Sequence, residues 1–167
     1  MRALGAAILF VFFTLCGIFA GEREKKRLYQ CEAFLSLFEY ISNQIEYFLT
    51  PTKVMYRNFV NEVLEVCGFL PALRSHENDE IYCGVWKTAL LSAEKNLLLK
   101  EKQRAIVLNF GDCIGKSRGE IQKAGLSRYT EEMRAEIAAE KAESEKNVKL
   151  YRTLGIAAGA CAAILVI

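Results

Sequence analysis

Two uncharged apolar runs, one at each end, most constrain what this chain can fold into. Residues 3–21, ALGAAILFVFFTLCGIFAG, carry no charge. As a helix such a run spans about 28 Å, close to the hydrocarbon thickness of a bilayer. Residues 153–167, TLGIAAGACAAILVI, are also uncharged and give about 22 Å. With Leu150 and Tyr151 at the interface and Arg152 snorkelling, the second stretch reaches about 27 Å. A cleaved signal peptide is the competing reading of the first run. Its basic cluster, REKKR at 23–27, follows the apolar residues instead of preceding them, and bulky Ile18 and Phe19 stand where a cleavage site takes small residues. A retained anchor is expected. For the second run the alternative is a buried core helix, but the middle of the chain already supplies a core, so a membrane segment is expected there too.

Flanking charge sets the orientation. Arg23, Lys25, Lys26 and Arg27 follow the first run, and Lys146, Lys149 and Arg152 precede the second. The positive-inside rule then holds the middle region in the cytoplasm, tethered at both ends. The expected organisation is an N-terminal transmembrane helix over 1–21, a cytoplasmic helical domain over 22–149 and a C-terminal transmembrane helix over 150–167. With 167 residues and a net charge of +2, the chain has the size of one domain and no electrostatic ground for binding nucleic acid. Six cysteines and one histidine, His76, include no C-x-x-C and no paired ligand spacing. Neither a metal site nor a disulfide framework is expected, and reduced thiols should fill core spaces.

The middle region reads as helix throughout. Leu28, Cys31, Phe34, Leu35, Phe38, Ile41, Ile45, Phe48 and Leu49 recur at helical spacing with one broad buried face. Thr50 as N-cap and Pro51 as first helical residue start a second helix, which carries Val54/Met55, Phe59, Val63 and Val66/Cys67 inward and ends near Gly68. FLPALRSHENDE, 69–80, is the clearest loop. A third helix, capped by Asn78 or Asp79, runs to Ala93 with Trp86 and Leu90 on its apolar side, and a fourth covers 97–114. From Arg118 one long helical pattern continues to the C-terminus, with a stripe of Leu126, Tyr129, Met133, Ile137, Val148 and Tyr151, a rigid coupling between the cytoplasmic domain and the last membrane segment. Ala135, Ala138, Ala139 and Ala142 offer close helix approach there. Its charges form a solvated face, with Glu145 and Lys149 placed as an i,i+4 pair. The fold class is all-α: a bundle of about five to six helices between two terminal transmembrane helices.

One segment invites a sharper reading. FGDCIGKSRGE, 110–120, resembles a phosphate-binding loop, but only three residues separate Gly111 from Gly115-Lys116 where a Walker A loop has four. The preceding residues carry a helical stripe instead of a strand. The segment is better read as a corner: Gly115 ends one helix in a left-handed turn, and Ser117 with Glu120 forms a capping box that starts the next. Gly111 lets two backbones approach. No cofactor and no catalytic constellation is expected, His76 falling in a polar loop without partners.

These residues also carry a family resemblance across nearly the whole chain. QIEYFLTP (44–51), FGDCIGKSRGEIQ (110–122) and KLYRTLGIAAG (149–159) resemble elements of the stage III sporulation protein AB family of endospore-forming bacteria. Ile45, Tyr47, Thr50, Pro51, Gly115, Ser117, Gln122, Leu154 and Gly155 match its pattern. Thr52 stands where the family has leucine, and Arg118 where it has aspartate. The resemblance implies a non-enzymatic membrane subunit of the mother-cell apparatus that supports the engulfed forespore. Its implied partners are other stage III membrane subunits and a cytoplasmic secretion-type ATPase, through a domain similar to the platform proteins of type II secretion and type IV pili. Homo-oligomerisation is left open. Gly115, Lys116, Ser117, Arg118 and Gln122 form the candidate partner-facing corner. Gly17 with Gly21, and Gly155 with Gly159, are G-x-x-x-G pairs suited to close helix packing in lipid. The alternative function is a membrane-tethered adaptor or signalling module outside sporulation.

Overall fold

The computed structural model describes residues 2–48, 52–75, 82–114 and 119–166, apart from the side chains at 2–4, 6, 9, 48, 52, 53, 82, 83, 163, 165 and 166. All regular structure among the described residues is helical: α1 (Arg2–Asn43), a π turn (Gln44–Phe48), α2 (Thr52–Asn58), α3 (Glu62–Val66), α4 (Phe69–Ser75), α5 (Tyr82–Ser92), α6 (Glu101–Cys113) and α7 (Glu120–Val166). The all-α expectation holds, with more and shorter helices than the periodicity predicts. Two compact units form, one from residues 29–138 and one from 1–28 with 139–167.

The 29–138 unit is built on an aromatic core. Helical spacing puts Phe34 and Phe38 of α1 inward, where they meet Phe69 of α4, Trp86 of α5 and Phe110 of α6, all fully buried or nearly so. Phe38 stacks on Phe110 with ring centroids 3.8 Å apart, and Trp86 stands edge-on to Phe69 at 5.2 Å. Rings at such distances add directional attraction to area burial and fix how the helices face one another. Trp86 satisfies its one polar atom by donating from Nε1 to the Val107 carbonyl at 2.9 Å. Gly111, one turn further along α6, leaves the space this indole fills. A Cβ there would lie 2.1 Å from Trp86 Cδ1. The expected close approach of two backbones at Gly111 is thus an approach of a ring to a backbone.

Buried polar side chains explain where the helices break. Gln30 of α1 donates to the Asn96 carbonyl at 2.9 Å and accepts from the Leu98 amide at 2.7 Å. That amide clamp serves the backbone of the non-helical stretch 97–100, which the periodicity assigns to the fourth helix. Gln103 then accepts from the Lys100 amide at 2.9 Å, so α6 starts at Glu101. In the second predicted helix, Asn61 takes an extended conformation and accepts from the Leu64 amide at 3.2 Å, ending α2 and starting α3. Arg74 donates to the carbonyls of Tyr56 (3.1 Å) and Phe59 (2.5 Å), satisfying groups at the C-terminal end of α2.

The loop expected over 69–80 is helical in its first part. Gly68, at a φ of 87°, turns the chain after α3, and α4 follows at once. Pro71 is tolerated because it falls in the first turn, where an amide has no intrahelical acceptor. Phe69, Leu70 and Leu73 bury the helix against the core. His76, Asn78 and Asp79 lie outside the described residues.

The second unit is an antiparallel helix pair formed by the first part of α1 and the last part of α7. Its register runs from Phe10 beside Gly159, through Gly17 beside Gly155 and Gly21 beside Val148, to Arg27 beside Glu140. Ala135 and Ala138 of the first unit, and Ala139 and Ala142 of the second, are exposed, so they do not provide the close approach expected of them. Glycines do. Among the described residues no helix is long and apolar enough to cross a membrane. Both apolar runs contain positions outside that description, at 3, 4, 6 and 9 and at 163 and 165–167.

Candidate functional site

The glycine seam is the first candidate surface. A Cβ on Gly17 would lie 2.6 Å from the Tyr151 carbonyl oxygen, and one on Gly155 would lie 2.9 Å from the Phe13 carbonyl oxygen. One on Gly159 would lie 3.1 Å from both the carbonyl oxygen and a ring carbon of Phe10, whereas Gly21 has ordinary contact with Val148 at 3.5 Å. Three of the four candidate glycines are therefore committed to packing the chain's own two terminal helices. Only a residue without a side chain lets helix backbones come this close.

Next to the seam lies an ionic cluster that the sequence does not reveal. Glu140 is 3% exposed, although its charge reads as part of a solvated face. Arg27 reaches it from α1 with a hydrogen bond from Nε at 2.7 Å, and also pairs with Glu24 one turn earlier. Burial works against the Arg27 charge, but the hydrogen bonds to Glu140 and Glu24 outweigh it and raise its pKa. Such a cluster fixes register, because a slip of one residue would strand Glu140 in a desolvated site. The Glu145–Lys149 pair expected from spacing is not formed.

In the 29–138 unit a groove of about 360 Å³ opens between the end of α1 with its π turn and the start of α7. Arg134 spans it, donating to Glu39 at 2.7 Å and pairing with Glu131. The hydrogen bond to Glu39, then that to Glu131, raises its pKa. Glu46 and Lys123 add charge at the walls, and Ser42 Oγ lies buried there without a hydrogen-bond partner. Ile45, one of the family-matching residues, lines the same groove and packs partly against the core, whereas Tyr47 is exposed. The groove is lined mainly by charged and polar side chains. It holds no nucleophile paired with a base, and the described residues include no cluster of three metal-ligating side chains.

Gly115, Lys116, Ser117 and Arg118 of the predicted corner lie outside the described residues, as do Thr50 and Pro51. Of the corner, Gln122 is described: it is half-buried in the first turn of α7. Gly119, beside the corner, takes a left-handed conformation at a φ of 72°. Among the described cysteines none is disulfide-bonded. Cys31 and Cys67 are buried, Cys113 is half-buried, and Cys16 and Cys161 are exposed.

No curated protein and no solved structure matches the chain. A family model does, that of stage III sporulation protein AB, over residues 2–167. An all-helical chain that matches this model over its whole length, with the sequence elements at 44–51, 110–122 and 149–159 in order, belongs to the stage III sporulation protein AB family.

Proposed function

We propose that the chain is a non-enzymatic membrane platform subunit of a secretion-like sporulation complex between mother cell and forespore. In this role it couples a cytoplasmic secretion-type ATPase to other membrane subunits. Family membership gives the sporulation role. The observation that carries the membrane part is the surface of the terminal helix pair. Ile8, Val11, Phe12, Leu15 and Phe19 of α1 and Leu150, Leu154, Ile156 and Ile164 of α7 are all exposed. A helix pair that packs through glycine and turns its large apolar side chains outward suits lipid better than water.

In this reading α1 and α7 cross the bilayer through 3–21 and 150–167. The flanking cations keep residues 22–149 on the cytoplasmic, mother-cell side. The unbroken helical run of α7, from Glu120 to Val166, supports its use as the element that passes motion to the membrane. The groove beside Arg134 and the 115–118 corner are the surfaces offered to partners. Deleting the gene in a sporulating host tests the role: arrest after engulfment is expected, and normal spores would refute it. Gly-Ser residues inserted near Lys146 test the coupling, since unchanged complex function would argue against a rigid lever.

A further inference from the structure

Around the contact of Gly21 with Val148 the cations of the terminal helix pair divide into two groups, with exposed Lys141 lying beyond them. Lys25 pairs with Glu22, and Arg27 with Glu24 and Glu140. Arg23, Lys26, Lys146, Lys149 and Arg152 are exposed and make no ion pair among the described residues. The register set by Gly21 against Val148 brings these five to one level. Counting 1.5 Å per residue from that contact, Lys26 lies about 7.5 Å to one side and Arg152 about 6 Å to the other. Arg23, Lys146 and Lys149 fall between them. All five Cα atoms thus occupy a belt about 13 Å tall, within side-chain reach of a common plane. Of the nearby acids, Glu22, Glu24 and Glu143 are engaged, and exposed Glu145 makes no ion pair among the described residues. On the side towards the termini the belt is bordered by exposed Phe19, Leu150 and Leu154, and on the other by the buried Arg27–Glu140 cluster.

From this juxtaposition we infer that the belt of Arg23, Lys26, Lys146, Lys149 and Arg152 is a binding site for the headgroup phosphates of anionic phospholipids. The inference rests on the membrane reading above and deepens it. Unpaired cations beside an apolar surface meet headgroup phosphates at the depth where the acyl chains meet the apolar side chains. A free phosphate shares the charge but not the apolar contact, so a lipid is the ligand. Because the cations come from both helices, the complete site exists only in the paired state.

The test reconstitutes the full chain in nanodiscs containing an excess of phosphatidylcholine over phosphatidylglycerol. The protein is then extracted in mild detergent, and the co-purifying lipid is quantified by mass spectrometry. Phosphatidylglycerol should be enriched over its share of the disc. Arg23→Gln/Lys146→Gln/Lys149→Gln should bring the retained lipid back towards the composition of the disc, each cation removed weakening phosphatidylglycerol binding about fivefold. Lys26→Gln/Arg152→Gln, an independent variant of the same belt, should act in the same direction, with helix content and Trp86 emission confirming the fold of each. Equal retention of the two lipids, or unchanged phosphatidylglycerol in both folded variants, overturns the headgroup site and leaves the membrane reading standing. Failure of the chain to enter the disc overturns both. Inorganic phosphate at matching concentration should leave the lipid in place; displacement by it would identify a soluble-phosphate site and overturn the lipid assignment.

Discussion

Gly111→Ala puts the description of the aromatic core at risk with a single methyl group. On propensity alone the change should stabilise α6 by about 1 kcal/mol, the difference between glycine and alanine in a helix interior. The added Cβ, however, would stand 2.1 Å from Trp86 Cδ1 and 2.2 Å from Cγ, far inside contact distance. A flexible side chain could swing away, but an indole at 1% exposure cannot move without disturbing Phe38, Phe69 and Phe110. Overpacking of this kind costs about 1–3 kcal/mol. Withdrawing Nε1 from the Val107 carbonyl leaves a buried donor unsatisfied for about 1–3 kcal/mol more. The net expectation is a loss of about 1–5 kcal/mol, opposite in sign to the propensity effect. Trp86 is the sole tryptophan, so its fluorescence during denaturant unfolding reports both stability and ring environment. A shifted native emission and a lowered midpoint are expected, with Trp86→Leu partly rescuing Gly111→Ala in a double-mutant cycle followed by circular dichroism, which does not depend on the indole. Unchanged or raised stability with native emission would show that the indole does not occupy the Gly111 face.

Two further perturbations address the terminal helix pair. Gly155→Leu should separate the helices around Gly17 and weaken the chain's own pairing, read as loss of crosslinking between cysteines placed at Phe10 and Ala158; retained crosslinking would restrict any effect to a separate partner. Glu140→Ala should cost about 1.5–3 kcal/mol, because Arg27 loses its buried partner but keeps Glu24, whereas Arg27→Leu/Glu140→Leu should recover part of that loss in thermal unfolding. A single-variant cost below about 0.5 kcal/mol would place the pair among weak surface bridges.

Apolar periodicity made the core legible. Cys31, Phe34, Phe38 and Ile41 are buried where helical spacing puts them, and so are Met55, Phe59, Trp86, Leu90, Leu126 and Met133. Val66, expected inward, is 78% exposed because the break at Asn61 rotates α3 relative to a continuous helix. What the sequence hides is the polar interior. Gln30 and Glu140 resemble solvated positions until a distant partner reaches them, 66 and 113 residues away in the chain. Helix breaks that depend on such contacts are equally hidden, since nothing local to 97–100 announces an extended stretch. The glycine pairs were legible as packing surfaces, but their use within one chain follows from register, which spacing alone does not fix. The candidate corner was legible only as turn chemistry and family pattern, and the groove beside Arg134 was not legible at all, because it needs α1 and α7 side by side.

The antiparallel register also has a consequence for biogenesis. Gly17 must find Gly155, so the first helix is complete long before its mate exists. At about 5–20 residues per second, the ribosome takes on the order of ten seconds to make the intervening chain. For that interval the nascent N-terminal segment displays a bare glycine notch, and Arg27 waits for Glu140. Synthesis therefore opens a timed window in which another apolar helix could compete for the notch, and the arrival of Gly155 closes it.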